Sequence, residues 1–332
     1  MALRLLEEKM RSINREDYRP TMVETFGNFA DRWMGTVMIH LAESTQQEER
    51  RRIEKQLKPV FGMVPMQQIT AEMVQAWISS LPYSPKTIRN LKGTLSTIWT
   101  KAKDWDYVKH DPFKGLRLPA KGISQVYQFS AEEMMAIINE AKGWYKTFFR
   151  LLAQTGMRPG EAFALRPQDL EGRTIHVRQA VWRGKVKNSV KTKDSVRDIS
   201  IADALASELR AHMSEAGPNK HGLIFLNKFG RPVNASHFVD KVLNPILDRL
   251  GIRAKIKELG IRGGNYAFRH GNITELRRSG VPLKTIQARV GHAVGSHVTD
   301  LHYVHAVSAD DHAAADLIDA LLSPKQDGES VQ

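Results

Sequence analysis

Between Asp111 and Gly122 the chain carries two prolines, two glycines and the cations Lys114, Arg117 and Lys121, with periodic sequence on either side. Proline lacks an amide proton and glycine tolerates any φ, so such a stretch continues neither a helix nor a strand. A chain interrupted in this way folds as two units joined by a basic linker. The length agrees, since 332 residues at roughly 150 per domain give about two domains. The boundaries read from the pattern are a leader over 1–20, a helical domain over 21–110, the linker over 111–122, a second domain over 123–323 and a polar tail over 324–332.

The first domain reads as all helix. From Thr25 to His40, Phe26, Phe29, Trp33 and Val37 recur at spacings of three and four, which buries one stripe. Ser44 with Gln47 matches a capping box and predicts a helix through Leu57, with Arg50, Arg51 and Arg52 on its solvated side. Thr70 opens a third helix bearing Met73, Val74, Trp77, Ile78 and Leu81. Ser84-Pro85, a cap followed by proline at the first helical position, opens a fourth. Its apolar stripe runs through Ile88, Leu91, Leu95, Ile98, Trp99 and Ala102, and the other side presents Lys86, Arg89, Asn90, Thr97, Lys101 and Lys103. That side suits a solvated face or, with amides and hydroxyls among the cations, a track of phosphates; Lys86, Arg89, Asn90 and Lys101 are the candidate phosphate contacts.

After the linker, Ser130 with Glu133 makes another capping box, and a buried helix ends at Gly156 before Pro159 starts the next. From Arg173 to Ile201 the period changes to two, which predicts a small antiparallel sheet with a turn at Arg183-Gly184. Helical patterning returns from Asp203 onward. The fold class is therefore mostly α with a small antiparallel β-sheet, an α+β domain preceded by an all-α one.

Charge and composition narrow the chemistry. With 49 Lys+Arg against 36 Asp+Glu the formal charge is +13, so a polyanion is the partner to test first. The absence of cysteine removes thiolate catalysis, cysteine-ligated zinc and disulfides. No uncharged apolar run approaches the ~18 residues that span a bilayer, which predicts a protein of the cell interior with no membrane partner. Arg158 stands in a glycine and proline turn, TGMRPGEAFAL, where it either pairs with Glu161 as a helix-start cation or serves an anion. A second arginine, Arg269, precedes the glycine–histidine turn at Gly291-His292, and two guanidiniums on one phosphate would form a metal-free clamp.

TGMRPGEAFAL, then RHGNITELRRSGVPLKTIQARVGH, then DLHYVH occur in this order, and in this the chain resembles the tyrosine recombinases of the phage-integrase family. The similarity covers roughly residues 120 to 322, and the preceding helices are similar to the family's core-DNA-binding domain in pattern alone. The resemblance implies a recombinase that cleaves and rejoins DNA through a 3′-phosphotyrosyl link, with no metal, ATP or other cofactor. Tyr303 would be the nucleophile; Arg158, Arg269 and His292 would supply the field that favours its phenolate, Glu161 supporting Arg158. The lysine that protonates the 5′-oxygen falls in VKNSVKTKDSVRDISI, where Lys191 fits best and Lys193 is the alternative. Partners implied are double-stranded recombination sites and further copies of the chain in a tetramer on DNA. Its place would be the cytoplasm of a bacterium or phage-infected host, and the short leader hints at simple recombination sites.

One position departs from the family pattern. Where histidine is usual three residues before the second arginine, Tyr266 stands, able to donate a hydrogen bond but unable to carry imidazole's proton near neutral pH. A regulator that binds DNA without cutting is the competing reading, because ITELRRSGVPLKTIQARVGH also has helix-turn-helix periodicity. A metal hydrolase drawing on His292, His297, His302 and His305 fits poorly, since the spacing lacks a His-x-x-x-His face. Beyond Tyr303, residues 308–323 read as an amphipathic helix, which the resemblance assigns to docking on a neighbouring protomer.

Overall fold

A computed structural model describes residues 24–120, 126–187 and 195–292. The chain divides into two compact units, one taking in residues up to 123 and the other residues from 124. No described helix is long and apolar enough to cross a membrane.

The described part of the first unit is helical. Its main helices are α1 (Phe26–Thr36), α2 (Glu43–Arg52), α3 (Ala71–Ser80) and α4 (Pro85–Asp104). Thr25, Thr70 and Ser84 cap α1, α3 and α4, each side-chain oxygen accepting an amide of the first turn. Phe26, Phe29, Trp33, Phe61, Trp77, Leu95 and Trp99 fill the core, with Phe61 edge-on to Trp77 at 5.3 Å between centroids.

Several local details differ from the sequence reading. The first helix ends at Thr36, where the Thr36 hydroxyl bonds back to the Arg32 carbonyl, and a separate 3₁₀ turn spans Met38–His40. Ser44 and Gln47 do not form a capping box: α2 starts two residues earlier, with Ala42 at the cap position, and the Gln46 amide ties that start to the carbonyls of Ile39 and Leu41. Arg52 is not on the solvated side but half-buried, paired with Glu49 at 2.7 Å and within 3.4 Å of the Thr94 hydroxyl. Met73, expected in the third helix's stripe, is exposed. After α2 the helix widens into a π turn at Ile53–Leu57 before resuming at Lys58–Phe61. Pro59 explains the widening, since it offers no amide to the carbonyl four residues back.

The second unit starts with α5 (Ala131–Glu140), opened by the Ser130–Glu133 capping box, and α6 (Trp144–Thr155). A short α7 (Pro159–Ala162) leads to the strands β1 (Leu170–Glu171), β2 (Thr174–Val177), β3 (Ala180–Trp182), β4 (Lys185–Lys187) and β5 (Arg197–Ser200). They make two sheets where one was expected: an antiparallel β1-β2-β5 sheet, with Ile175 opposite Ile199, and a separate β3-β4 hairpin. The division follows from buried Gln179, whose amide donates to the Ala164 carbonyl and turns the chain toward α7. There the Val181 carbonyl lies 2.7 Å from where a Cβ on Gly160 would stand. The hairpin turns at Arg183 and Gly184, both at positive φ.

Helix α8 (Asp203–Ala216) follows, then α9 (Ala235–Phe238), a second π turn at Val239–Leu243 and a helical continuation at Asn244–Arg249. Pro245 stands two residues past this π turn, as Pro59 does past the first. Helices α10 (Ile252–Glu258), α11 (Tyr266–Arg278) and α12 (Leu283–Val290) complete the described chain. Stacked rings join α6 to its neighbours, Phe148 on Phe163 at 4.2 Å and Phe149 on Phe268 at 5.4 Å. Ile273, Ile286 and Val290 pack α11 against α12.

Two helix-interior glycines should respond oppositely to alanine. A Cβ on Gly271 would stand 2.2 Å from the Phe129 carbonyl oxygen, whereas one on Gly93 meets nothing within 4 Å. Gly271→Ala should lower stability by about 3 kcal/mol, and Gly93→Ala should raise it by about 0.5–1 kcal/mol. Denaturant melts of both variants check the pair.

Candidate active site

Three chain segments converge near the C-terminal end of α6. Gly156 closes that helix at φ +62, and the next residues swing Arg158 into position before Pro159 starts α7. Gly156 is required twice, because a Cβ there would also stand 2.6 Å from the Asn272 side-chain oxygen. Asn272 on α11 donates to the Ala153 carbonyl at 2.8 Å, and one turn earlier Arg269 donates through Nη1 to the Gly156 carbonyl at 2.8 Å. The third segment is the end of α12. Gly291, at φ +69, ends it with the His292 amide bonded back to the Gln287 carbonyl at 2.9 Å. Arg158 reaches that turn, donating through Nη2 to the Gly291 carbonyl at 3.2 Å.

At the centre lies Glu161, 3% exposed. Its Oε1 accepts Arg158 Nη1 at 2.8 Å, and its Oε2 accepts both the Arg158 amide at 3.0 Å and Arg197 Nη2 at 2.8 Å. Burial works to raise the carboxyl's pKa, but the hydrogen bonds and charges of Arg197 and Arg158 together prevail and hold it below the usual range. Arg158 therefore pairs with Glu161, as the first reading has it, and its other guanidinium nitrogen faces the segment bearing His292.

Arg269 is 3% exposed, and its Nη2 has no hydrogen-bond partner among the described residues. Burial, then the charge of Arg158, pushes its pKa down to about 9, so it stays a cation at neutral pH in a place that disfavours one. A buried guanidinium nitrogen without an acceptor is costly, which singles out Arg269 as a candidate anion contact. Half-buried His292 is pushed down to about 4 by burial and then by Arg269, Arg158, His270 and Arg197, which leaves its imidazole neutral at pH 7. Tyr266, at the start of α11, is 55% exposed and stands one turn before Arg269. The structure thus brings together Arg158, Glu161, Arg269, His292 and Tyr266. Lys191, Lys193, Tyr303 and the amphipathic segment 308–323 lie outside the described residues.

Sequence reasoning missed Arg197 and Arg289. Arg197 sits at the start of β5, and Arg289 donates to the carbonyls of Ser200 and Gln154, fastening α12 to β5 and α6. The signal for Arg197 was its place as the last letter of S-x-R before the apolar alternation, but no spacing says that its side chain turns inward.

In the first unit Lys86 and Asn90 are exposed on α4. Arg89 is half-buried and donates to the carbonyls of Pro85 and Pro119, so its guanidinium fastens the stretch near Pro119 to the helix. Lys101 pairs with Asp104 at 3.0 Å and lies over the Trp105 ring. A groove of about 440 Å³ beside α4 is lined by Lys92, Ser96, Thr100, Lys103 and Lys114 together with Asp104 and Asp111, and of these the sequence reading had named Lys103 alone on the helix.

Residues 124–309, more than half of the chain, match the profile of the phage integrase family. The chain belongs to that family. Residues 25–81 match the N-terminal SAM-like domain of phage integrases. A tyrosine recombinase XerC-like protein of Caldanaerobacter subterraneus subsp. tengcongensis is 26% identical over 257 residues, covering 68% of this chain and 63% of the relative's length. Among solved structures, the Tn1549 transposon integrase in complex with a circular intermediate DNA superposes with a TM-score of 0.68 at 18% identity, covering 87% of this chain and 98% of the other. A lambda integrase tetramer bound to a Holliday junction gives 0.61 at 16% identity, covering 88% and 86%. At these identities the superpositions establish the fold of the phage integrase member described here.

The depressed His292 fixes a pH dependence. In the folded protein it takes a proton near 4, whereas an unfolded histidine does so near ~6.5. Its contribution to stability is therefore full above ~6.5 and lost as pH falls toward 4, because the unfolded chain protonates first. His292→Asn should show a smaller loss of stability between pH 7 and pH 5 than the parent, read by denaturant titration at both values.

Proposed function

We propose that this integrase-family protein is a site-specific recombinase that cuts and rejoins DNA through a covalent bond from Tyr303 to a 3′-phosphate. The observation that carries the reading is the Arg269 guanidinium, buried with an orphan donor beside Arg158 and His292. Two arginines there can each donate to the non-bridging oxygens of one phosphodiester and neutralise the charge that builds as a fifth oxygen bonds to phosphorus. The Tyr303 oxygen forms that bond, and the 5′-oxygen departs with its electron pair. Tyr303 starts with a pKa of ~10, and the nearby cations favour its phenolate. Neutral His292 is able to take the phenolic proton, and an anionic phosphate, by offsetting the arginines that now repel a proton, raises its basicity as the substrate binds.

Lys191 is assigned the proton for the departing 5′-oxygen, with Lys193 as the alternative. Tyr266 stands at the rim where it can donate a hydrogen bond to a phosphate oxygen. On the first unit, Lys86, Asn90 and Lys101 are assigned to the DNA backbone, with Arg89 behind them as a fastener. Double-stranded recombination sites are the substrate, and assembly as a tetramer on DNA is supported by the lambda integrase tetramer bound to a Holliday junction. The proposed organisation keeps residues 21–110 and 123–323 as the two DNA-engaging domains. A bacterial or phage-infected cytoplasm, where such DNA lies, is the proposed place of action.

Incubation with a nicked suicide duplex tests the reading. The parent should form a protein–DNA adduct, in excess EDTA as well, and Tyr303→Phe should form none while binding the same duplex almost as well. A phenylalanine variant that still forms the adduct would assign the nucleophile elsewhere, and a parent that binds without forming one would favour a non-cleaving regulator. A 5′-bridging sulfur at the scissile position separates the lysines, because a thiolate leaves without a proton. Lys191→Ala should cleave ordinary DNA poorly and the sulfur substrate well; that pattern in Lys193→Ala instead would reassign the role.

A further inference from the structure

Arg197 is a buried cation to which the proposed reaction gives no task. Its side chain is 6% exposed. Nη2 donates to Glu161 Oε2 at 2.8 Å, Nε to the Arg289 carbonyl at 2.7 Å and Nη1 to the Ser195 carbonyl at 3.0 Å. Each of its three nitrogens is bonded to a protein oxygen, so the group is held by the fold. It reaches the two things that set Arg158: the Glu161 carboxylate, and the last carbonyls of α12, where Arg158 itself bonds at Gly291.

Charge shows what this arrangement accomplishes. Glu161 carries one negative charge and receives two guanidiniums, so Arg158, Glu161 and Arg197 together are a net cation. Without Arg197 the carboxylate would belong to Arg158 alone, and the pair would be neutral at the place where a phosphate needs charge. The carbonyls of Arg289 and Gly291 lie at the negative end of the α12 dipole, which helps to hold both cations together. We propose that Arg197 is a positioning residue that keeps the Arg158 guanidinium available to the scissile phosphate, by sharing the Glu161 carboxylate with it and tying that pair to the turn that bears His292. The alternative is that Arg197 merely braces β5 against α12.

This inference rests on the recombinase reading, and the two fail differently. The test uses the full chain with Arg197→Met and Arg197→Lys on the nicked duplex, comparing an ordinary scissile phosphate with an uncharged methylphosphonate. Duplex affinity and the single-turnover rate of adduct formation are measured at a temperature where melts show each variant folded. Arg197→Met should bind within about threefold of the parent and form adduct roughly ten- to a hundredfold more slowly on the phosphate, the range typical of weakened transition-state electrostatics. On the methylphosphonate, which develops one less negative charge, the deficit should shrink to less than about threefold by the same argument. Arg197→Lys, which keeps the charge, should fall between parent and Met on the phosphate, and it carries the same two-substrate comparison should the Met variant not fold. An equal deficit on both substrates would reduce Arg197 to a brace, and no deficit on the phosphate would leave it without a role; either overturns the inference. A parent that forms no adduct on the ordinary phosphate would overturn the recombinase reading itself.

Discussion

Everything at this site depends on a carboxylate taken out of water. Buried Glu161 is tolerable because the amide and guanidinium of Arg158 and the guanidinium of Arg197 supply its hydrogen bonds. In return it gathers two cations that would otherwise repel each other. The surrounding backbone is shaped to allow this. Gly156 turns sharply enough to place Arg158, Gly160 leaves room for the Val181 carbonyl, and Gly291 closes α12 so that a carbonyl faces Arg158.

Around that anchor the remaining cations outweigh the one carboxylate. Arg269 lies buried with one nitrogen unpartnered, and the His292 imidazole is held neutral by burial and by the cations near it. Such a cluster opposes folding, and it is held in place by the aromatic stacking of α6 on its neighbours and by the Asn272 and Arg289 bonds that lock α11 and α12 to α6. Strain of this kind is relieved by an anion, and a phosphodiester supplies one negative charge with two acceptor oxygens. The electrostatics of the site and the chemistry proposed for it thus point in the same direction.

Much of this was legible in the sequence, for identifiable reasons. Ser84-Pro85, Ser130 with Glu133, and the glycines at 156 and 291 announce helix ends through local backbone chemistry, and the structure has an end at each. The ordered boxes around Arg158, Arg269 and His292 named residues that the fold brings together. What was not legible depends on tertiary partners. Ser44 lost its expected cap because Gln46 found carbonyls outside the helix. The strands divided because the Gln179 amide found the Ala164 carbonyl. Arg89 reads from the sequence as a surface cation but fastens the Pro119 carbonyl, and the inward turn of Arg197 depends on Glu161, which no local pattern places beside it. The π turns were within reach of the sequence, since Pro59 and Pro245 each stand two residues past one.

The central claim is that Arg158, Arg269 and His292 form one pocket for one phosphate. A crystal structure of the protein on a duplex carrying its site would test it most directly. The account predicts that both guanidiniums donate to non-bridging oxygens of a single backbone phosphate, with the unpartnered Arg269 nitrogen now occupied and His292 beside the same group. Guanidiniums on two different phosphates, or an Arg269 nitrogen still facing protein while DNA is bound, would contradict it.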